Sequence, residues 1–417
     1  MNKYIGLIIV GVLGFYLLSA AAPVALTASI VLAWMVPVLM WRELGRTATQ
    51  QAVCLIVIGL SCLLFSAIRG VFLGWERIFA ANLPPLAMFV AVAFLTLTNP
   101  ANEDPNLPKG TRALVTTAIG THLLGAVINL SVLFIFGDRL QRRGVLSKEQ
   151  LIILPRSFCA AAWWSPFFIA TGVALTYAPG MQWLDTLVPG AIMSVIAILY
   201  SLIEVRFFSK TSFSGYPLRI ESLLVPVFLA ASVICLHHFR PDISIVRIIC
   251  VLSPVGALIF MKGRPRLSTL KEFVGSKIQS VNSQFALFLA AGVFSTGIAS
   301  LTQVYPALFR FSDTAFTPLL FTLVLGAMIA VGTIGVHPLM SIAIVSPLLI
   351  PLSPDNSQLG FLFLSSWAIS TGSSPLSGVG LALTSRYHAS PSEIVQNNWH
   401  YAIAMWAIAS ALNLLFF

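Results

Sequence analysis

The sequence predicts an all-α, polytopic helical membrane protein, and three observations carry that prediction. The 417 residues are 58% hydrophobic and only 9% charged, with a mean hydropathy of +0.91. A soluble domain carries roughly 25% charged residues, so this chain cannot cover its surface with polar groups. Second, the apolar residues fall into long runs separated by short polar stretches, with room for about a dozen spans of ~20 residues. Third, one phrase occurs twice: Ala118-Ile119-Gly120-Thr121-His122-Leu123-Leu124 reads almost in register with Thr333-Ile334-Gly335-Val336-His337-Pro338-Leu339. Ser165-Pro166 follows the first copy as Ser374-Pro375 follows the second. The expected architecture is two inverted repeats, residues 1–208 and 217–417, of about seven apolar segments each, with a broken or re-entrant segment in each repeat.

In chain order the apolar segments run 4–20, 24–40, 51–69, 84–98, 113–137, 151–178 and 186–205 in the first half. The second half gives 222–236, 242–261, 283–301, 315–334, 335–352, 358–384 and 398–417. All are predicted helical, since lipid leaves the backbone no other way to pair its polar groups short of a barrel. The first segment imitates a signal peptide, with Lys3, an apolar run and then Ser19-Ala20-Ala21-Ala22. Its displacement by the repeat offset onto Leu223–Cys235 favours a helix of the mature protein. The seam between halves lies from Phe207 to Arg219, around Ser209-Lys210-Thr211-Ser212-Phe213-Ser214-Gly215.

Loop charges argue that the halves are oppositely oriented. Arg42 and Arg46 follow the second segment, whereas Lys262, Arg264, Arg266, Lys271 and Lys277 follow its counterpart. The bias reverses after the histidine-bearing segment: Arg139, Arg142, Arg143 and Lys148 in the first half face a loop near Asp355 with no basic residue. Under the positive-inside rule this swap fits two inverted copies with an odd number of crossings. It places 138–150, 206–219 and 262–282 in the cytoplasm and both termini outside. The formal charge of +10 has the same origin. Nucleic-acid binding is excluded, because the basic residues sit in loops rather than interleaved with aromatics on one face.

The chemistry is expected at the interrupted segments. Arg156-Ser157-Phe158-Cys159-Ala160-Ala161-Ala162-Trp163-Trp164-Ser165-Pro166-Phe167 is one, and Ser370-Thr371-Gly372-Ser373-Ser374-Pro375-Leu376-Ser377-Gly378 is the other. Proline removes a backbone donor and glycine relaxes the chain, so each run can unwind within the membrane. Freed carbonyls and hydroxyls then hold a small cation, and the helix N-terminus beyond faces an anion. The competing reading is a proline kink, or close helix packing through small residues. The candidate substrate- and ion-binding residues are Ser165, Pro166, Thr371, Gly372, Ser373, Ser374, Pro375 and Ser377.

His122 and His337 are the duplicated titratable pair and the candidates for proton coupling. The alternative for each is a neutral imidazole bonded to a carbonyl across a helix interface. His400 has no counterpart and takes that reading, while His237, His238 and His388 lie at segment ends or in loops. Glu204 and Glu221 sit at segment ends, and no Asp or Glu falls near the middle of a segment. Cation antiporters and pumps usually need such a carboxylate, so the solute is read as an anion, a neutral molecule or a lipid. Arg156 is the candidate for anion attraction, against a snorkelling or positive-inside role. Asn129 is either a cation ligand or helix–helix glue. Trp163 and Trp164 either line a substrate path or are tryptophans of the kind common near membrane interfaces. Cys54, Cys62, Cys159, Cys235 and Cys250 form no CxxC pair and no disulfide or metal framework.

With Ser165-Pro166 and Ser373-Ser374-Pro375-Leu376-Ser377 at corresponding places in two halves, the chain resembles the ion transporter superfamily. That group includes divalent anion/sodium symporters, citrate carriers and arsenite permeases. The Ser-Asn-Thr signature of the anion symporters is absent from both segments. The resemblance implies a scaffold with a moving transport domain, alternating access and a homodimer. The function expected is secondary active transport of a small anionic solute by symport with sodium or protons, in a bacterial inner membrane. No catalysis and no cofactor beyond the coupling ion is expected; the partners are the anion and membrane lipids. The alternative is a membrane enzyme or flippase acting on lipid-linked phosphate or glycan substrates. An assembly subunit is disfavoured, since it has no need of two broken midplane segments.

Overall fold

The computed structural model describes residues 2–98, 107–141, 145–208, 213–216, 223–263, 265–307 and 315–417. Several residues used in the charge and seam arguments lie outside these: Arg142, Arg143, Ser209–Ser212, Arg219, Glu221 and Arg264. The first half forms α1 (Asn2–Leu18), α2 (Val24–Leu39), α3 (Arg46–Ile68), α4 (Trp75–Ala80) and α5 (Leu83–Ala93). It continues with α6 (Thr111–Ile128), α7 (Ser131–Gln141), α8 (Lys148–Cys159), α9 (Ile169–Tyr177) and α10 (Trp183–Phe208). The second half forms α11 (Leu224–Phe239), α12 (Ile245–Phe260), α13 (Arg266–Gly275), α14 (Asn282–Val304) and α15 (Pro318–Thr333). Then come α16 (Pro338–Leu349), α17 (Asn356–Ser373), α18 (Gly378–Tyr387) and α19 (Pro391–Phe416). No strand forms among the described residues beyond an isolated bridge between Lys109 and Ser214.

The protein is an integral membrane protein. Among the described residues, six helical stretches are long and apolar enough to cross a bilayer: Ala48–Ile68, Trp75–Thr98, Thr111–Ile128, Trp183–Phe207, Gln284–Val304 and Pro391–Phe416. Several predicted segments are not single helices. The run 113–137 breaks after Ile128, where Asn129 takes φ 52 and carries the chain from α6 into α7. The run 151–178 breaks at 164–168, and 358–384 breaks at 374–377.

Local chemistry fixes where the helices start. Ser147 opens α8 with a reciprocal capping box: its hydroxyl accepts from Gln150 N, and its own N–H donates to Gln150 Oε1. Asp355 caps α17 by accepting from Gln358 N at 2.8 Å. Thr317 caps α15 ahead of Pro318, and Pro391 occupies the first turn of α19.

The chain folds into two compact units, each drawing on both halves of the sequence. The first comprises Met1–Pro100, Leu229–Ala315 and Ile342–Ser353. Here α1 is held to α2 by the Ser29 hydroxyl, which donates to Val12 O at 2.7 Å. Long helices α3 and α14 pack through small residues, with the Ser66 and Ser300 hydroxyls 2.8 Å apart. Asn82 reaches Phe288 O at 2.7 Å and fixes the entry to α5.

The second unit comprises Ala101–Phe228, Phe316–Ser341 and Pro354–Phe417. It contains α6–α10, α15 and α17–α19, and thus both Ser-Pro interruptions. Ala113, Leu114 and Ala118 of α6, Ile152 and Ile153 of α8, Val205 of α10 and Phe213 form one of its buried apolar clusters.

Candidate functional site

The two Ser-Pro runs fold into the same local turn. In the first, the Ser165 hydroxyl accepts from Phe167 N at 3.2 Å; in the second, the Ser374 hydroxyl accepts from Leu376 N at 3.2 Å. In both, proline has no N–H to offer, so the serine oxygen takes the next amide and stops the incoming helix. A hydroxyl from the outgoing helix then closes each turn. Thr171 donates to Ser165 O at 2.7 Å, and Ser377 donates to Thr371 O at 2.8 Å and Ser374 O at 2.9 Å. Ser377 also caps α18 by accepting from Gly380 N at 3.0 Å.

The two broken segments run antiparallel against each other. Trp163 Nε1 donates to Ser365 Oγ at 3.2 Å, and Cys159 lies at the Gly372 backbone, so advancing along the first segment retreats along the second. Ser357 continues the order, accepting from Gln182 N and donating to Asp185.

Each turn faces a second chain interruption. Asn129, at the α6–α7 break, donates through Nδ2 to Phe167 O at 3.0 Å, and the Ser165 hydroxyl donates to Ala126 O. In the second half Gly335, at φ 112, sits against Leu376, where an added Cβ would come within 3.0 Å of the leucine Cβ. A side chain there would be strained both by φ and by that contact.

The interruptions differ in what they leave unpaired. Around Ser165 the freed groups are taken: Trp164 O accepts from Trp183 Nε1, Ser165 O from Thr171 and Phe167 O from Asn129. Around Ser374 two buried hydroxyls, Thr371 Oγ1 and Ser373 Oγ, have no hydrogen-bond partner among the described residues. Ser366 on α17, Thr121 on α6 and Ser157 on α8 likewise carry buried unpartnered hydroxyls. The Cys159–Gly372 contact places Ser157, Thr371 and Ser373 within one helical turn of the α8–α17 meeting point. Buried polar groups without partners carry a free-energy cost that a bound ligand can relieve.

The histidines occupy unlike settings, although their flanking phrases match. His122 lies inside α6, where Gly120 is ordinary helix, while His337 follows the positive-φ Gly335 at a break. Trp164 Nε1 donates to His122 Nε2 at 3.1 Å, which makes that nitrogen the acceptor. Nδ1 then carries the proton and donates to Ser157 O at 3.1 Å. His122 is thus fully bonded as a neutral imidazole bridging α6 and α8. His337 Nδ1 accepts from Leu339 N at 3.2 Å, and its ring meets Trp367 edge-on.

Arg156 is buried in α8 and fully engaged. Nη1 pairs with Glu204 at 2.6 Å, Nε donates to Asn398 Oδ1 at 2.7 Å and Nη2 donates to Asn397 O at 2.5 Å. The guanidinium also lies 4.4 Å from the Tyr401 ring centroid. The charge expected to attract an anion is therefore met by an internal carboxylate. Among the described residues no group of three or more His, Cys, Asp or Glu forms a metal-binding cluster.

No protein-family model matches the chain. No curated protein matches it by sequence. By structure it is similar to the Alcanivorax borkumensis YdaH transporter, whose crystal structure is described as revealing an unusual topology. The TM-score is 0.53 at 10% identity, covering 87% of this chain and 98% of that one. The two share a fold.

Proposed function

We propose that the protein is a secondary active transporter of a small anion, working by alternating access and driven by sodium or protons. The observation that carries this reading is the antiparallel pair of Ser-Pro turns, one of which keeps two buried hydroxyls unpartnered. Two antiparallel broken segments are what inverted repeats bring together at a membrane midplane. The amides opening α18 and the hydroxyls of Thr371 and Ser373 suit an anion. The carbonyls ending α17 suit a cation. Ser374, Pro375, Gly372 and Ser377 shape this site, and Ser165 with Pro166 forms its counterpart.

The fold shared with a transporter supports the reading, as does the resemblance to the ion transporter superfamily. A homodimer in a bacterial inner membrane belongs to the same proposal. The test is thermal stabilisation of the purified protein by phosphate, sulfate, succinate and citrate, each as sodium, potassium or choline salt, at pH 6 and pH 8. A ligand at a hundred times its dissociation constant adds about 2.7 kcal/mol. The expected result is an anion-dependent shift that requires sodium or depends on pH, and that disappears in Ser373→Ala/Ser374→Ala. Stabilisation by a lipid-linked phosphate alone would replace the transporter with an enzyme or flippase.

A further inference from the structure

Glu204 holds more than one partner. Its Oε2 lies 2.6 Å from Arg156 Nη1 and 3.1 Å from His400 Nε2, so one carboxylate oxygen is shared between α8 and α19. A carboxylate only accepts, so His400 donates through Nε2 and its Nδ1 is left as the acceptor. The burial is graded along this row. The Arg156 side chain is 0% exposed, that of Glu204 18% and that of His400 34%. The innermost group is a permanent cation, and the outermost is an imidazole whose second ring nitrogen can take a proton.

We propose that Arg156, Glu204 and His400 form the proton-binding site of this protein, a role resting on the transport reading above. A hydronium ion gives its proton to His400 Nδ1: one N–H bond forms, one O–H bond breaks, water is left and the imidazole becomes an imidazolium. The row passes from a balanced Arg⁺–Glu⁻ pair to a net charge of +1. The imidazolium then competes with the guanidinium for the shared oxygen and draws the carboxylate toward α19. Arg156 stands in the helix that leads through residues 160–163 into the Ser165 turn, so its hold on Glu204 bears on the first broken segment.

The charged and titratable neighbours within the row come from the same three helices. They are Cys159 on α8, Tyr200 on α10 and Tyr401 on α19, with the Tyr200 ring 6.3 Å from that of His400. The helix α18, which also meets α19, carries Arg386 and Tyr387, both engaged with Asp138. The helices α15 and α17, which also pack on α19, contain no Asp, Glu, His, Lys, Arg, Cys or Tyr. His122 offers no vacant lone pair in this arrangement, because its acceptor nitrogen already takes the Trp164 N–H.

The test has a ligand-free arm and a liganded arm. Melting temperatures of the wild type, His400→Gln, Glu204→Gln and the double variant, taken at pH 6 and pH 8, give the coupling between the two side chains at each pH. Both substitutions are close in size to the native residues and leave Arg156 in place. A proton-binding site requires coupling at pH 6 that shrinks at pH 8. Equal coupling at both values overturns the proposal and leaves a structural contact.

In the liganded arm, an anion that stabilises the wild type is added in weak buffer and the protons taken up or released are recorded. Proton exchange lost in His400→Gln, with binding retained, supports coupling through this site. Exchange retained in His400→Gln but lost in His122→Gln or His337→Gln overturns it. If no anion binds, the transport reading falls, while the ligand-free arm still decides whether the row binds a proton.

Discussion

Two glycines of the second interrupted segment should respond in opposite directions to the same added methyl group. Gly380 lies in the first turn of α18 beneath the Ser374–Ser377 turn. An added Cβ would stand 2.5 Å from Pro375 C, 2.6 Å from Pro375 Cα and closer still to Ser374 O. Favourable carbon contacts lie at about 3.5–4.0 Å, so the turn or the helix must shift by about 1 Å. Backbone cannot swing aside as a flexible side chain can, and overpacking of this kind costs about 1–3 kcal/mol. Gly372, eight positions earlier in α17, would place its Cβ 3.4 Å from Cys159 Cβ and 3.6 Å from Cys159 Sγ, which is ordinary contact. There the substitution removes backbone freedom from the unfolded chain and gains about 0.5–1 kcal/mol. Thermal unfolding in detergent, followed by tryptophan fluorescence, should therefore rank Gly372→Ala at or above wild type and Gly380→Ala clearly below it. A Gly380→Ala protein that melts with the wild type would refute the assigned turn geometry. So would a Gly372→Ala protein that falls as far as Gly380→Ala.

Three further outcomes follow from the same contacts. Thr371→Val deletes an unpartnered buried hydroxyl and should leave melting unchanged or raised, while weakening anion-dependent stabilisation; a marked loss of stability without ligand would mean that the hydroxyl has a structural partner. Trp164→Phe removes the N–H donated to His122 and should cost about 1 kcal/mol, with the nitrogen NMR shift of His122 Nε2 reporting the lost donor. Asp138→Asn disturbs an exposed two-point pair with Arg386 and a bond from Tyr387. Its effect should stay within about 1 kcal/mol, and the pair's share of it should fade at high salt.

The membrane class was readable from composition because lipid admits so few backbone solutions. The Ser-Pro interruptions were readable too, since proline announces the lost amide and serine is the side chain able to supply a substitute acceptor. The break at Asn129 was not, because an asparagine at positive φ has the same letter as an asparagine in a helix. The matching histidine phrases misled for a related reason. Gly120 and Gly335 are alike in sequence, but only one adopts the backbone that glycine alone permits cheaply. The Arg156 cluster was hidden by distance along the chain. Glu204 follows 48 residues later and Asn398 242 residues later, beyond any local pattern. Glu204 stands near the end of its segment in sequence, yet it pairs with a cation that is out of solvent.

That separation has a consequence for how the protein is made. A ribosome adding 5–20 residues per second needs roughly 12–48 s to travel from Arg156 to Asn398. Glu204 emerges within roughly 2–10 s, whereas the α19 groups that complete the guanidinium's hydrogen bonds arrive only after the full roughly 12–48 s. Over that interval the first half must therefore hold a charged pair with half its contacts missing. An insertion factor that shelters α8 and α10 until α19 is delivered would shorten the most exposed interval in the life of this chain.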